Sequence, residues 1–367
     1  RPVLAAPTGR AAKRMSESTG YPASTIHRLL GWSFTEGRFL HDLSRPLKGE
    51  AFVIDEVSMV DLPLFASLVD ALPQGATLVL VGDVDQLPSI GPGRVLEDLI
   101  ECGSVPTFRL TRIFRQAELS LIVTNAHRVR SGKLPEGAPQ LPAESLEESP
   151  GEGRGDFYMV RQSEPAKARE MVVRLAAERL QARFGLDPME DLQVITPMNR
   201  GTCGTRELNS ALQEALNPDG RKIPFGGGRF RVGDRVMQIR NDYEKDVFNG
   251  DVGRVAGYDG ELQELSVDYD GRLVDYDSVE LDDLAVAYAV TVHKSQGSEY
   301  PAVILTLLGE HTVMLQRNLL YTAISRGKKL VVLVGDSRAI ERAVANDRVQ
   351  FRHTRLAWRL KSILKLC

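Results

Sequence analysis

Short apolar runs that end in acidic residues dominate the first third of the chain. Residues 51–54 are apolar and stop at Asp55-Glu56, and residues 77–81 stop at Gly82-Asp83. A helical pattern over 62–72 separates the two runs, and strands that alternate with helices are typical of parallel α/β units. Ligands bind at the carboxyl ends of the strands in such sheets, so the pattern predicts a site at these acids.

The pattern before residue 51 predicts a strand, two helices and a hairpin. Residues 2–6 form an apolar run, a helix is expected over 9–19, and residues 24–30 resemble a capped helix start. Residues 32–50 alternate aromatic and polar positions around a glycine, which predicts a hairpin.

A stretch rich in Pro, Glu, Gly and Ser over 134–155 reads as a linker to a second α/β region. Helices are expected there over 164–184 and 205–216. Between 224 and 284 the pattern changes to short alternating strands with turns such as Asn249-Gly250, which is typical of a small β-barrel. Helical and parallel-strand patterning resumes at 286, so the barrel is expected to be inserted into the second α/β domain.

Composition narrows the class of protein. A chain of 367 residues suits two or three domains of ~100–200 residues each, and 43% hydrophobic with 26% charged residues matches an ordinary globular protein. The sequence contains no apolar run of the ~20 residues that a membrane helix needs, so a soluble, cytoplasmic protein with no membrane partner is expected.

The formal net charge of -3 does not by itself indicate nucleic-acid binding, which would need a local basic groove. Three distant cysteines predict neither a disulfide framework nor a zinc site.

The two acid-terminated strands have the form of a nucleotide site. Val53-Ile54-Asp55-Glu56 has the pattern of a Walker B element, in which one carboxylate meets a metal ion and the other polarises water. Taken alone, the pattern fits a solvated strand end equally well. Gln86 follows the second strand and carries donor and acceptor groups that could sense a γ-phosphate or the attacking water. Because one crossover separates the two motifs, the pair favours nucleotide chemistry over two unrelated turns.

With these motifs in place, the sequence resembles the motor of RecD-like superfamily 1 helicases. The segments that carry the resemblance, in the order of motifs Ia, II, III, IV, V and VI, are residues 4–15, 54–59, 82–88, 110–116, 292–299 and 321–326. So many motifs in the family's order leave little room for coincidence.

The resemblance implies an α/β fold with two RecA-like P-loop NTPase motor domains, the first of them incomplete. It implies a motor domain 1A over 1–145, with the hairpin 32–50 as the pin domain 1B. Domain 2A would comprise 156–223 and 285–367, and an SH3-like domain 2B would span 224–284. The alternative for 32–50 is an ordinary surface hairpin. The basic segment 350–367 reads best as a terminal helix packing on its domain, with a DNA-exit or partner-docking helix as alternatives.

The resemblance also implies ATP and Mg²⁺ as cofactors and assigns residues to them. The implied catalytic residues are Asp55, which would also bind the metal, Glu56, Gln86, Arg115 and Arg326. Gly297 and Glu299 would contact the nucleotide. A guanidinium group is permanently charged and matches phosphate oxygens, whereas an isolated arginine is more often part of a surface ion pair.

The partners implied are single-stranded DNA, junctions of single- and double-stranded DNA, and nuclease or repair subunits. The residues of the motif segments that would touch DNA are Thr8, His27, Thr196, Asn199, Arg200, His293, Lys294 and Ser295. Their hydroxyl, amide and cationic groups suit phosphate contacts. A hydroxyl residue in such a segment can instead cap a helix, and Thr25 and Ser295 are candidates for that role.

One motif of the family is absent from residues 1–367. The chain contains no Gly-x-x-x-x-Gly-Lys-Ser/Thr, the loop that holds the β- and γ-phosphates. Its place in the family is just upstream of motif Ia, so a segment preceding residue 1 is expected to carry it. The function implied is an ATP-dependent DNA helicase, with 5′ to 3′ movement suggested by the family alone. A superfamily 1 RNA helicase and a non-catalytic DNA-binding subunit remain as alternatives.

Overall fold

The structure is a computed structural model that describes residues 1–33, 36–110, 120–137, 155–242, 244–347, 352 and 354–364. The chain forms two compact units. The first comprises residues 1–112 and 349–367, and the second comprises residues 113–348.

The first unit is built on a four-stranded parallel sheet. Its strands, in spatial order, are Ala23–Thr25, Val3–Ala6, Ala51–Ile54 and Thr77–Leu80. Its helices are Gly9–Thr19, Ile26–Leu30, Leu62–Asp70, Val95–Cys102 and Leu356–Leu364, with a 3-10 turn at Val57–Met59. The core consists of apolar side chains such as Ile26, Phe52, Ile54 and Leu68, all of them at most 1% exposed. Residues on both faces of Val3–Ala6 and Ala51–Ile54 are partly or fully buried, which accounts for the apolar runs of these strands.

The hairpin is shorter than the sequence predicts. Strands Trp32–Ser33 and Arg38–Phe39 pair antiparallel, and Phe34 and Thr35 lie outside the described residues. Residues 40–50 contain no strand and only one isolated bridge, Asp42 with Arg45. Residues 40–50 contain no Phe, Trp or Tyr and form turns and irregular segments, so the aromatic alternation that predicts a hairpin ends at Phe39.

Two boundaries differ from the expected division. The helix Leu121–Arg130 lies in the second unit and packs beside Arg317–Ile324, although residues 1–145 were expected to form the first domain. The described residues of 350–367, expected in domain 2A, pack instead on the first unit. There Arg352 Nη1 donates to Gly91 O at 2.7 Å and to Gly93 O at 2.9 Å. A one-sided apolar pattern predicts that a helix packs, but not which surface receives it.

The second unit contains a five-stranded parallel sheet. Its strands, in spatial order, are Ala289–Thr291, Leu192–Thr196, Tyr300–Leu307, Gly327–Gly335 and Phe157–Arg161. Its helices are Leu121–Arg130, Pro165–Arg174, Leu180–Phe184, Thr205–Leu216, Arg317–Ile324 and Ser337–Ala345, and a π-helical turn at Leu175–Arg179 joins the second and third of them.

A separate antiparallel sheet interrupts this unit between the helix Thr205–Leu216 and the strand Ala289–Thr291. Its strands, in spatial order, are Arg272–Tyr276, Glu264–Tyr269, Val252–Asp259, Arg235–Gln238 and Leu284–Val286. It has its own core, in which Phe230, Val267 and Tyr276 are at most 1% exposed. In the part of the chain that the structure describes, none of the helices combines the length and apolar character needed to span a bilayer.

Asp234 anchors this inserted sheet. The residue is fully buried. Its carboxylate accepts hydrogen bonds from Asn217 Nδ2 at 2.8 Å, Gln213 Nε2 at 2.6 Å and the Tyr288 hydroxyl at 2.9 Å. It also accepts one from the Arg231 backbone N at 2.7 Å. Buried carboxylates require such partners, so this residue fixes both ends of the insertion to the helix before it.

Candidate nucleotide and DNA-binding site

The acids of motif II lie where the central strand of the first unit ends. Asp55 N donates to Ala5 O at 3.0 Å, and Glu56 N donates to Asp55 Oδ1 at 2.8 Å. Glu56 has a left-handed backbone, with φ 52° and ψ 40°, which residues with a side chain seldom adopt. Such strain is common at functional sites, where the surrounding structure holds it in place.

Glu56 forms an ion pair that sequence reasoning missed. Arg14 Nη2 lies 2.9 Å from Glu56 Oε1, and the two side chains are 29% and 7% exposed. Arg14 belongs to the motif Ia helix, where Arg10 and Lys13 are equally basic. Nothing in the sequence distinguishes the arginine that faces the acid, because this depends on the rotation of the helix against the sheet.

Motif III lies beside motif II at the same edge of the sheet. Ile54 and Leu80 are paired in register, and Val57 N donates to Val81 O at 2.9 Å. A Cβ at Gly82 would lie 2.9 Å from Leu96 Cδ2 and 3.1 Å from Val57 N, so the close approach of the two segments favours glycine at this position. The sequence prediction that these motifs are neighbours therefore agrees with the sheet order.

Gln86 is positioned by the turn that precedes it. Its Nε2 lies 3.4 Å from Asp83 Oδ2, and its backbone N donates to Asp83 O at 3.3 Å. Asp85 N donates to Asp83 Oδ1 at 3.0 Å. Asp83 thus organises the turn that carries the amide side chain.

The donor set of this edge suits a magnesium ion that arrives with phosphates. The described residues hold no cluster of three or more His, Cys, Asp or Glu side chains placed for a metal ion. Mg²⁺ in nucleotide sites commonly has one or two carboxylate ligands, with phosphate oxygens and water completing the shell. Asp55 supplies a carboxylate of that kind. Arg115, the predicted arginine of motif IV, lies outside the described residues.

In the second unit, Arg326 joins motif VI to motif V. The residue is 3% exposed. Its Nε donates to Thr322 O at 3.1 Å, its Nη1 to Ser298 O at 3.2 Å and its Nη2 to the Ser325 hydroxyl at 3.2 Å. The guanidinium group is therefore held within the unit by neutral oxygen acceptors.

Gly297 and Glu299, which are predicted to contact the nucleotide, lie on either side of Ser298, whose carbonyl oxygen accepts a hydrogen bond from Arg326. Gly297 is buried and has φ 73°, a left-handed backbone that glycine adopts without strain. Glu299 is exposed, and its Oε2 lies 3.1 Å from Lys328 Nζ. A turn through Gly297 thus exposes a carboxylate immediately after a buried segment.

The predicted DNA contacts of the first unit lie at helix starts. Thr8 caps the helix Gly9–Thr19, since its hydroxyl oxygen accepts from Ala11 N at 3.3 Å. Thr25 caps Ile26–Leu30 by accepting from Arg28 N at 3.1 Å, as its alternative role predicts. His27 packs its ring on Phe39, 5.7 Å between centroids, and burial lowers its pKa, so that the ring is neutral near pH 7.

Two of the predicted DNA contacts in the second unit are fully buried. The Thr196 hydroxyl donates to Cys203 O at 2.6 Å, and the Ser295 hydroxyl donates to Val292 O at 2.8 Å. Both hydroxyls therefore stabilise local turns, and neither is presented at the surface. The sequence could not separate these roles, because the same side chain serves for either.

Asn199 and Arg200, by contrast, are exposed in the turn after Leu192–Thr196. Glu310 holds the following residues, since its carboxylate accepts from Cys203 N at 2.9 Å and from Thr202 N at 3.3 Å. This support could not be predicted from the sequence, because Glu310 is more than 100 residues away in the chain.

His293 and Lys294 are half-buried at the start of motif V. Burial lowers the pKa of both side chains. Lys294 Nζ donates to Asn249 Oδ1, at 2.6 Å, in the inserted sheet's Asn-Gly turn. The motif V lysine is thus in contact with the insertion.

Three protein-family models match the chain. The "AAA domain" model matches residues 1–92, and the "ATP-dependent RecD-like DNA helicase SH3 domain" model matches residues 208–269. The "UvrD-like helicase C-terminal domain" model matches residues 286–334. The second match covers most of the inserted sheet.

Curated relatives match nearly the whole chain. The ATP-dependent RecD2 DNA helicase of Deinococcus radiodurans is 37% identical over 360 residues, which cover 98% of this chain and 46% of that protein. The RecBCD enzyme subunit RecD of Mycolicibacterium smegmatis is 32% identical, with 98% of this chain and 66% of that protein covered. The chain therefore spans between about half and two thirds of the length of these relatives.

Among solved structures, the chain is similar in fold to the Pif1 helicase from Bacteroides in complex with ADP-AlF3 and ssDNA. The identity is 20%, the TM-score is 0.54, and the match covers 94% of this chain and 84% of that one. Together with the parallel sheets and the SH3 match, this likeness confirms the expected α/β motor fold with an inserted SH3-like domain. With relatives at this level of identity along nearly its whole length, the chain belongs to the RecD-like family of superfamily 1 helicases.

Proposed function

We propose that the protein is an ATP-dependent DNA helicase, which moves along single-stranded DNA and unwinds duplexes in repair or recombination. The observation that carries the proposal is the meeting of motifs II and III at one sheet edge, where Val57 N bonds Val81 O at 2.9 Å. That contact brings the segment that bears Asp55 and Glu56 beside the strand that leads into the Gln86 turn. The relatives named as DNA helicase and RecBCD subunit support the same function.

The reaction proposed is attack of water on the γ-phosphorus of ATP. A bond forms between the water oxygen and phosphorus, the bond to the β,γ-bridging oxygen breaks, and ADP, phosphate and a proton leave. Glu56 would orient the water, and Gln86 would report the presence of the γ-phosphate. Mg²⁺, when bound with ATP, neutralises charge on the phosphate oxygens, and Asp55 would hold it.

The arginines would act on the charge that develops during this step. Arg115 and Arg326 are proposed to contact the γ-phosphate, since guanidinium pairs well with phosphate oxygens. Arg326 is 3% exposed and donates to neutral oxygens of Thr322, Ser298 and Ser325, so contact with phosphate would require it to exchange partners. Gly297 and Glu299 are proposed to lie against the nucleotide.

DNA would lie against the residues at the strand ends and turns. The exposed Asn199 and Arg200, the cap residue Thr8 and the half-buried His27 and Lys294 offer hydrogen-bond donors and positive charge for phosphates. His293 extends this set, and the buried Thr196 and Ser295 would act by shaping the turns. The hairpin, with Trp32 38% exposed, is proposed to separate strands at a junction.

Direction, partners and location are further parts of the proposal. Movement 5′ to 3′ is proposed from the resemblance to RecD-like helicases alone. Assembly with nuclease or repair subunits is supported by a relative named as a RecBCD enzyme subunit. A cytoplasmic location accompanies a role in chromosome repair.

The test is a Glu56→Gln variant of the full-length protein, assayed for ATP hydrolysis, ATP binding and unwinding. Loss of the carboxylate that orients water is expected to reduce turnover by about 100-fold or more while ATP binding remains. Glu17→Gln, on the exposed face of the motif Ia helix, is the matched control and should retain activity. Normal turnover in Glu56→Gln would contradict the assignment, and stimulation by single-stranded RNA rather than DNA would favour an RNA helicase.

A further inference from the structure

The Arg14–Glu56 ion pair joins two places with different proposed tasks. Arg14 lies on the helix Gly9–Thr19, which begins at the cap residue Thr8. At 1.5 Å per residue, Arg14 is about 9 Å along the helix from Thr8. One short rigid element therefore connects a proposed DNA contact to the acid of motif II.

Neighbouring groups hold both the backbone and the side chain of Glu56. Its backbone is left-handed, its N–H is used by Asp55 Oδ1, and its side chain is 7% exposed. Its Oε1 accepts a charge-assisted hydrogen bond from Arg14 Nη2 at 2.9 Å. An oxygen that is engaged with a guanidinium group is less available to accept a hydrogen bond from a water molecule.

We propose that Arg14 is a DNA-responsive positioning residue, which holds Glu56 away from the attacking water until DNA binds at the start of the motif Ia helix. DNA contact at the helix start shifts the helix, Arg14 releases the carboxylate oxygen, and Glu56 becomes free to orient water. This inference rests on the proposed function, because it assigns a regulator to the same acid. Stimulation of ATP hydrolysis by DNA is its consequence.

The first test is ATP hydrolysis by full-length protein carrying Arg14→Gln, with and without single-stranded DNA. The DNA-free rate is expected to rise about fivefold or more, while the DNA-saturated rate stays close to that of the parent protein. Arg14→Lys keeps the charge and should keep most of the DNA dependence. Arg94→Gln, which removes an ion pair with Glu97 elsewhere in the same unit, is the matched control and should change neither rate.

The second test measures DNA binding and needs no ATP. If DNA binding has to break the ion pair, its removal lowers the cost of binding, and linkage predicts about fivefold tighter binding of a labelled oligonucleotide to Arg14→Gln. Simple loss of a positive charge predicts the opposite, because fewer cations then face the phosphates. Fluorescence anisotropy of both variants in the same salt distinguishes the two signs.

An unchanged ratio of DNA-stimulated to basal ATPase in Arg14→Gln would overturn the proposal, as would weaker DNA binding. ATP hydrolysis by Glu56→Gln at the rate of the parent protein would instead contradict the proposed role of Glu56. The two failures are distinguishable because they occur in different variants and because DNA affinity is read without hydrolysis.

Discussion

Lys294 of motif V donates a hydrogen bond to Asn249 Oδ1 in the inserted sheet, with 2.6 Å between the two atoms. Asn249 is itself held, since its backbone N donates to Asn241 Oδ1 at 2.9 Å. The ammonium group is half-buried, and burial lowers its pKa. The motif V lysine is therefore hydrogen-bonded to the insertion and also loses its proton more easily than an exposed lysine.

A pH dependence of DNA binding follows from this lysine. Because its pKa is lowered, Lys294 loses its charge at lower pH than an exposed lysine, whose pKa is about 10.4. DNA affinity should therefore decline with rising pH before ordinary lysines titrate. Lys294→Arg keeps the charge at all these pH values and should remove the early decline, as measured by anisotropy. An identical pH profile for the variant and the parent would contradict this role.

His311 should make the protein sensitive to mild acid. Its ring is fully buried, its Nδ1 accepts from Leu308 N at 3.1 Å, and burial lowers its pKa from 6.5 to about 4. Between those values the unfolded chain binds a proton that the folded chain does not, so stability is present above pH 6.5 and falls as the pH drops toward 4. The loss should reach about 3 kcal/mol.

Denaturant unfolding at several pH values measures that loss. His311→Gln retains an acceptor for Leu308 N without a group that titrates in this range, so its stability should fall less over the same interval. An equal acid sensitivity in parent and variant would assign the effect to other residues.

Phe39 should matter to unwinding more than to hydrolysis. Its ring packs on Trp32 at 5.0 Å and on His27 at 5.7 Å, so it joins the hairpin to a proposed DNA contact. Phe39→Ala should leave DNA-stimulated ATPase but reduce strand separation, since aromatic pairs of this kind contribute about 1 kcal/mol each. Parallel ATPase and fork-unwinding assays measure the ratio, and equal loss of both would indicate a folding role.

Residues 1–367, expressed alone, should bind single-stranded DNA but bind ATP only weakly. The sequence contains no phosphate-binding loop of the Gly-x-x-x-x-Gly-Lys-Ser/Thr form, and most ground-state affinity for a triphosphate comes from such a loop. Calorimetry should therefore detect only weak ATP binding. Anisotropy should still detect single-stranded DNA binding, which should weaken as salt rises. Strong DNA-stimulated ATPase from these residues would contradict the expectation.

Sequence reasoning succeeded where local pattern determines position. The strands before Asp55 and Gly82 are apolar runs of the right length, and parallel pairing then makes their ends neighbours. It failed where a contact depends on the rotation of a helix against the sheet or on a partner that is far away in the chain. Arg14 and Glu310 reach their partners only through the packing of helices and turns that no periodicity encodes.

Hydroxyl side chains were a second limit on what the sequence could predict. A threonine or serine beside a turn can bond the backbone or a ligand, and only burial separates the two uses. Thr196 and Ser295 are fully covered, while Asn199 in a comparable motif segment is exposed. The terminal segment 350–367 shows the same limit, because its amphipathic pattern is equally compatible with either unit.

The buried Asp234 makes the attachment of the inserted sheet to the second unit rigid. A domain attached by two flexible tethers can swing without disturbing its host. Here the carboxylate binds both the outgoing helix, through Gln213, and the returning chain, through Tyr288, and Arg235 Nη1 donates to Leu192 O at 2.6 Å. If DNA contacts the inserted sheet, as the proposed function requires, these bonds would transmit the resulting force to the strand Leu192–Thr196 and leave no flexible joint to absorb it.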